Sequence, residues 1–171
     1  MIIENAHIVS PGMELLGGTI RIGDGVIEEV GRNVVLRGDE DVERIDAGGH
    51  FVLPGFVDIH THGAGGFSVM DGTGEAVRKM SAIKLREGVT TFLPTTWTET
   101  KEALERAMAG VAEYRENPNQ AKVPGVHVEG PFLNPNCVGA QNPDFVREPD
   151  LEEIDRLNAI APVLVNSVAV E

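Results

Sequence analysis

The chain has 171 residues, 42% apolar and 24% charged, the composition of a globular protein of one domain or one and a fraction. Its 27 acidic against 14 basic side chains leave a formal net charge of −13, which works against nonspecific binding to nucleic acid or to an anionic membrane. Apolar runs are short and interrupted, no basic stretch leads into an apolar core near Met1, and Cys137 is the single cysteine. The expectation is a cytoplasmic protein without signal peptide, membrane span or internal disulfide.

Residues 1–50 read as small antiparallel β structure. Ile2-Ile3 and Ala6-His7-Ile8-Val9 precede a Pro11-Gly12 turn, Thr19-Ile20-Arg21-Ile22 follows Gly17-Gly18, and Asp24-Gly25 is a hairpin signal before Val26–Val30. His7 and His50 are expected at the surface or the edge of the core rather than as ligands. From residue 51 the texture changes. Phe51 to His60 reads as one apolar strand buried on both faces. A helix follows from about Thr73, with Val77, Met80 and Ile83 on one side and Gly88 as its stop. Val89–Thr96 is a second strand. Thr98 is placed to cap the next helix, whose buried stripe is Leu104, Ala107, Met108 and Val111. Pro124–Glu129 is a third strand, followed by a long loop with four prolines ending at Pro149. Asp150 with Glu153 has the form of a capping box opening a third helix, and Pro162–Val170 is a fourth strand.

Strands alternating with helices predict an α/β fold with a parallel sheet. Strand starts near 51, 89, 124 and 162 have the spacing of (β/α)8 units, and the 121 residues after residue 50 make about half of a barrel that needs about 250. An open, doubly wound sheet of four strands fits the same periodicity.

Chemistry-bearing side chains gather where the strands end. His60 and His62 alternate on a strand, so both rings project from one face about 6.6 Å apart. That spacing lets two imidazoles reach one ion with bonds of about 2.1 Å. Glu129, at the end of the third strand, shares that rim. Two imidazoles and a carboxylate suit zinc, with iron, cobalt or manganese as substitutes, and such an ion lowers the pKa of its water toward about 7. His127, two residues before Glu129, faces the same way, either as an outer partner of the metal or substrate or as a hydrogen-bonded residue of the interior. Trp97 is expected to serve packing rather than as a stacking platform. Asp58 faces inward with no assigned role. Gly63-Ala64-Gly65-Gly66 lacks the Lys-Ser/Thr ending of a phosphate loop and reads as a tight turn beside the metal.

Pro54-Gly55-Phe56-Val57-Asp58-Ile59-His60-Thr61-His62-Gly63 resembles the first barrel strand of the amidohydrolase superfamily. Gly125-Val126-His127-Val128-Glu129-Gly130-Pro131-Phe132-Leu133-Asn134, with Gly139-Ala140-Gln141-Asn142-Pro143 and Gly88–Thr95, resembles more narrowly the N-acetylglucosamine-6-phosphate deacetylase family, and the likeness covers essentially the whole chain. It implies that residues 1–50 are the N-terminal part of a small β-sandwich domain and residues 51–171 the first half of a (β/α)8 barrel, commonly in a homodimer. The implied reaction is hydrolysis of the acetamide of N-acetylglucosamine 6-phosphate, a small-molecule amino-sugar phosphate, by metal-activated water with one or two divalent ions. Glu129 becomes the principal ligand, and His60 and His62 the pair that holds a second metal. His127, Ala140 and Gln141 become substrate-binding residues, Gln141 standing where the family usually has histidine and offering an amide without positive charge. The family's proton-shuttling aspartate and two further histidine ligands fall beyond Glu171, so negligible deacetylase activity is expected of this chain alone. Two other readings remain open: a relative acting on another amide or cyclic amide, and a non-catalytic half-barrel that self-associates.

Overall fold

A computed structural model describes residues 1–34 and 42–169. The end of the expected fourth strand, Val170, lies outside the described residues. The chain divides into two compact units, Met1–Pro54 and Gly55–Glu171.

The first unit is one sheet of β1 (Ile2–Ser10), β2 (Met13–Gly23), β3 (Val26–Gly31), β4 (Arg44–Asp46) and β5 (Phe51–Val52), ordered β3-β2-β1-β4 with β5 also on β1. The two hairpins are antiparallel as expected, but β4 and β5 run parallel to β1, so the segment is mixed. Both short strands approach β1 from later chain rather than through a tight turn, which frees their direction. The two apolar runs Ile2-Ile3 and Ala6–Val9 belong to one strand. Between them Asn5 takes a left-handed φ of 54° and the register shifts. Ala6, Ile8 and Ile20 form its core. His7 pairs with Glu14 at 2.8 Å, and His50 Nδ1 bonds to the Ala47 carbonyl at 2.9 Å.

The second unit is a mixed α/β fold. Its elements are β6 (Phe56–Thr61), β7 (Gly63–Ala64), β8 (Phe67–Ser68), α1 (Gly74–Arg86), β9 (Val89–Pro94), α2 (Lys101–Glu113), β10 (Val126–Glu129), α3 (Leu151–Ile160) and β11 (Val163–Ser167). β6 pairs with β9 and β10 with β11, both parallel, and parallel bridges Thr91–Lys122 and Thr95–His127 join the two pairs. The run Phe51–His60 is therefore not one strand. Pro54 has no N–H for a ladder and holds Leu53 out of a continuous pairing, so Phe51–Val52 stays with β1 while Phe56 opens the second unit. Nor is β6 buried on both faces: Phe56, Val57 and Ile59 are 61%, 65% and 56% exposed, because among the described residues β6 has a strand partner on one side only. Beyond it, β7 and β8 make a tight hairpin in which Gly65 and Gly66 take φ of 59° and 84°, values that side chains resist.

The helices form where caps and stripes coincide. The Thr73 side chain accepts from Ala76 N at the start of α1, which buries Val77 and Met80. α2 is capped by Thr100, which accepts from Ala103 N, rather than by Thr98. Asp150 accepts from Glu153 N to open α3, but the Glu153 carboxylate turns to Arg147 and Lys101, so only half of the box closes. Val77, Leu104, Met108 and Leu157 from the three helices pack with Val126 and Val128 of β10. None of the helices among the described residues is long and apolar enough to cross a membrane.

Gly110 lets α2 approach the loop before α1. A Cβ there would lie 2.5 Å from the backbone N of Thr73 and 2.7 Å from the carbonyl carbon of Gly72. Gly110→Ala is thus expected to destabilise by about 1–3 kcal/mol from overpacking, although alanine gains about 1 kcal/mol in helix propensity. A lowered urea midpoint checks it; a midpoint at or above the parent's would show that the loop yields freely.

Candidate metal centre

His60 is the penultimate residue of β6, which ends at Thr61, and His62 follows directly before the glycine turn. The Thr61 N–H donates to Thr95 Oγ1 at 2.8 Å, which fastens this stretch to the end of β9. His62 Nδ1 donates to the Thr95 carbonyl at 3.0 Å. A carbonyl only accepts, so Nδ1 carries the proton and Nε2 presents its lone pair. Burial holds His62 below its ordinary pKa of 6.5, with His60 and His127 adding to that, against the opposing pull of the Thr95 carbonyl and Glu129. The neutral ring is the form that binds a metal.

Three ligand groups converge. Nε2 of His60 and Nε2 of His62 are 3.2 Å apart, and they lie 3.7 Å and 3.2 Å from the two carboxylate oxygens of Glu129. Bonds of 2.0–2.1 Å to a tetrahedral ion put neighbouring ligand atoms about 3.3–3.4 Å apart, so these three separations are close to the edges of such a polyhedron. The group could hold a metal ion, and its donor set of two nitrogens and a carboxylate matches divalent transition metals.

The surrounding residues hold the trio. Trp97 stacks on the His62 ring at 3.7 Å and 11°, so it is a platform for the imidazole rather than general packing. His127 is 4% exposed and both its ring nitrogens are engaged: Nδ1 donates to the Ile59 carbonyl at 2.8 Å and Nε2 accepts from Ser167 Oγ at 2.6 Å. It stands edge-on to His60 and links β6, β10 and β11. Ala140 is exposed, while its neighbour Gln141 is buried with its side-chain oxygen on Thr98 N and its nitrogen on Glu129 Oε2. Asp58 accepts from His60 N and pairs with Lys84 of α1 at 3.2 Å. The contacts of Trp97 and Gln141 span 35 and 12 residues of sequence, and no local pattern points to them.

Two imidazoles and a carboxylate meeting where parallel strands end define a candidate metal-dependent hydrolase of the α/β class. The Amidohydrolase family model matches residues 51–171, and the chain belongs to that family, whose members are metal-dependent. Among similar proteins, the N-acetylglucosamine-6-phosphate deacetylase of Lysinibacillus sphaericus is 31% identical over 162 residues, which cover 94% of this chain and 41% of that protein. The N-acetylgalactosamine-6-phosphate deacetylase of Escherichia coli O157:H7 is 34% identical over 152 residues, or 88% of this chain and 38% of that one. The crystal structure of N-acetyl-D-glucosamine-6-phosphate deacetylase from Mycobacterium smegmatis superposes with a TM-score of 0.79 at 27% identity, covering 99% of this chain and 47% of that one. The chain thus spans about two fifths of the length of the curated relatives it matches.

Proposed function

We propose that this chain is part of a metal-dependent deacetylase acting on N-acetylglucosamine 6-phosphate, releasing acetate and glucosamine 6-phosphate. The observation that carries the reading is the meeting of His60, His62 and Glu129 at tetrahedral-edge distances. The names and the 31% identity of the similar proteins supply the substrate. Residues 51–171 are read as the first half of a (β/α)8 barrel and residues 1–50 as part of a β-sandwich. Two features support the half-barrel. The parallel strands β6, β9, β10 and β11 neighbour one another in chain order, unlike a doubly wound sheet, and apolar Phe56, Val57, Ile59 and Leu164 are exposed on the two outer strands. On the same family basis the enzyme is cytoplasmic and dimeric.

Zinc suits the donor set best, with iron, cobalt or manganese as substitutes, and the family's one or two ions would be held by Glu129 with His60 and His62. When bound, the ion supplies Lewis acidity to the amide and to the attacking water. The chain's own residues set the frame. Glu129 offsets the cation's charge, Thr95 keeps the metal-binding nitrogen of His62 unprotonated, and Trp97 shields one face of that ring. Among the described residues around the trio, none is free to move a proton: His127 has both nitrogens engaged and Asp58 is held by Lys84. The 18.3 kDa chain alone is therefore expected to bind zinc without releasing acetate. Titration with zinc and an acetate assay check this; turnover by a preparation of confirmed mass would overturn it. A second reading takes the galactosamine epimer as substrate, favoured by the 34% identity to the Escherichia coli protein. Comparing both acetylated sugar phosphates with a full-length relative that carries this segment separates the two.

A further inference from the structure

The geometry points to Gln141 as a positioning residue for the carboxylate of Glu129, a role that rests on the metal-centre reading above. Gln141 sits on the long loop between β10 and α3, yet is only 9% exposed. Both ends of its amide are committed. The Thr98 N–H donates to Oε1 at 2.7 Å, and Nε2 donates to Glu129 Oε2 at 2.6 Å. A backbone N–H can only donate, so Thr98 determines which end of the amide is oxygen and turns the NH2 group toward Glu129. Glu129 Oε2 is then shared between Gln141 and the side facing His62, while Oε1 faces His60.

A carboxylate at the end of a strand has two free torsions beyond the first, and a free rotor samples orientations that miss the ion. The amide removes that freedom without adding charge, so the carboxylate remains fully available as an anion. The same bonds leave Gln141 little capacity for substrate, its acceptor being taken and one amide hydrogen used. The Thr98 N–H lies before the start of α2 and is what makes the arrangement possible. The loop that carries Gln141 is itself fastened: Arg147 donates to the carbonyls of Glu99 and Phe145, and its N–H reaches the Pro131 carbonyl.

The test is zinc affinity, measured by chelator competition on the whole 171-residue chain. The parent is compared with Q141M, which keeps the volume and removes both hydrogen bonds. Far-UV circular dichroism verifies that each protein is fully folded at the titration temperature. Q141M is expected to bind zinc about 10–100-fold more weakly, the usual effect of losing an outer partner of a metal ligand. Where Q141M does not fold, Q141N serves, since it keeps an uncharged amide but is one methylene too short to reach Thr98 and Glu129 together. Unchanged or tighter binding by a folded variant overturns the proposal. So does a lowered melting temperature with unchanged affinity, the mark of a residue that only holds the loop. A parent chain that binds no zinc overturns the metal centre itself, and with it this role.

Discussion

Glu129→Ala is expected to weaken zinc binding by more than about 100-fold, beyond what loss of an outer partner costs. The reason is electrostatic as well as geometric. The carboxylate is the one anion among the three converging groups, and it is largely buried, with 22% of its side chain exposed. Without it, two neutral imidazoles face the cation, and His62 is already held neutral by burial. The change also strands the Gln141 amide, a buried donor whose lost partner costs about 1–3 kcal/mol. Glu129→Gln separates these effects. It keeps an acceptor for Gln141 and nearly the same volume, so the apo protein should melt close to the parent while zinc binding still fails. Chelator competition and thermal melts on the parent and both variants decide it. Parent-like zinc affinity in Glu129→Ala would show that the carboxylate is not a ligand.

The second large effect is on stability and lies away from the metal. Glu153 is a charged side chain at 2% exposure, held by Arg147 through a short bidentate pair and by Lys101 at 3.2 Å. It joins α3 to α2 and to the loop that carries Gln141. Glu153→Ala leaves Arg147 without its carboxylate, while Lys101 keeps Asp150 at 3.1 Å, and is expected to cost about 2–3 kcal/mol, less than the 3–5 kcal/mol of a fully buried pair because Arg147 and Lys101 reach solvent. Burial by itself would raise the Glu153 pKa, but the bonds from Arg147 and Lys101 outweigh it and hold the carboxyl below its ordinary 4.5. A carboxyl depressed in this way binds fewer protons folded than unfolded. Its contribution is complete above the ordinary glutamate value and disappears as pH falls through the lower folded value. Urea midpoints at neutral pH and through the acid range check this: the parent should lose more stability on acidification than Glu153→Ala. Parallel pH profiles for the two proteins would show that the network contributes nothing.

Local pattern carries the helices and strands of the second unit, because their apolar residues recur at the helix and strand periods and their caps are short-range. Val77, Met80, Leu104, Met108 and Val111 are buried as the periodicity requires. The spacing of His60 and His62 and the strand-end place of Glu129 made their convergence readable too. What failed was decided at long range. Thr98 and Thr100 are equally good caps on paper, but the Thr98 hydroxyl turns to the carbonyl of Glu129, 31 residues away, and Thr100 caps the helix. Trp97 read as packing because nothing beside it in sequence reveals the ring of His62. Phe51–His60 read as one strand because the apolar run hides the break at Pro54, where missing hydrogen-bond capacity outweighs hydrophobicity.

His127 ties together three strands at once, through the Ile59 carbonyl and the Ser167 hydroxyl. One consequence concerns speed. With that crossbar in place the two rings and the acid already stand at bonding range, so capture of an ion need not wait for the backbone to reorganise. Loading should proceed in one phase at a rate set by diffusion and dehydration, and an apo crystal should superimpose on a loaded one with little more than side-chain adjustment.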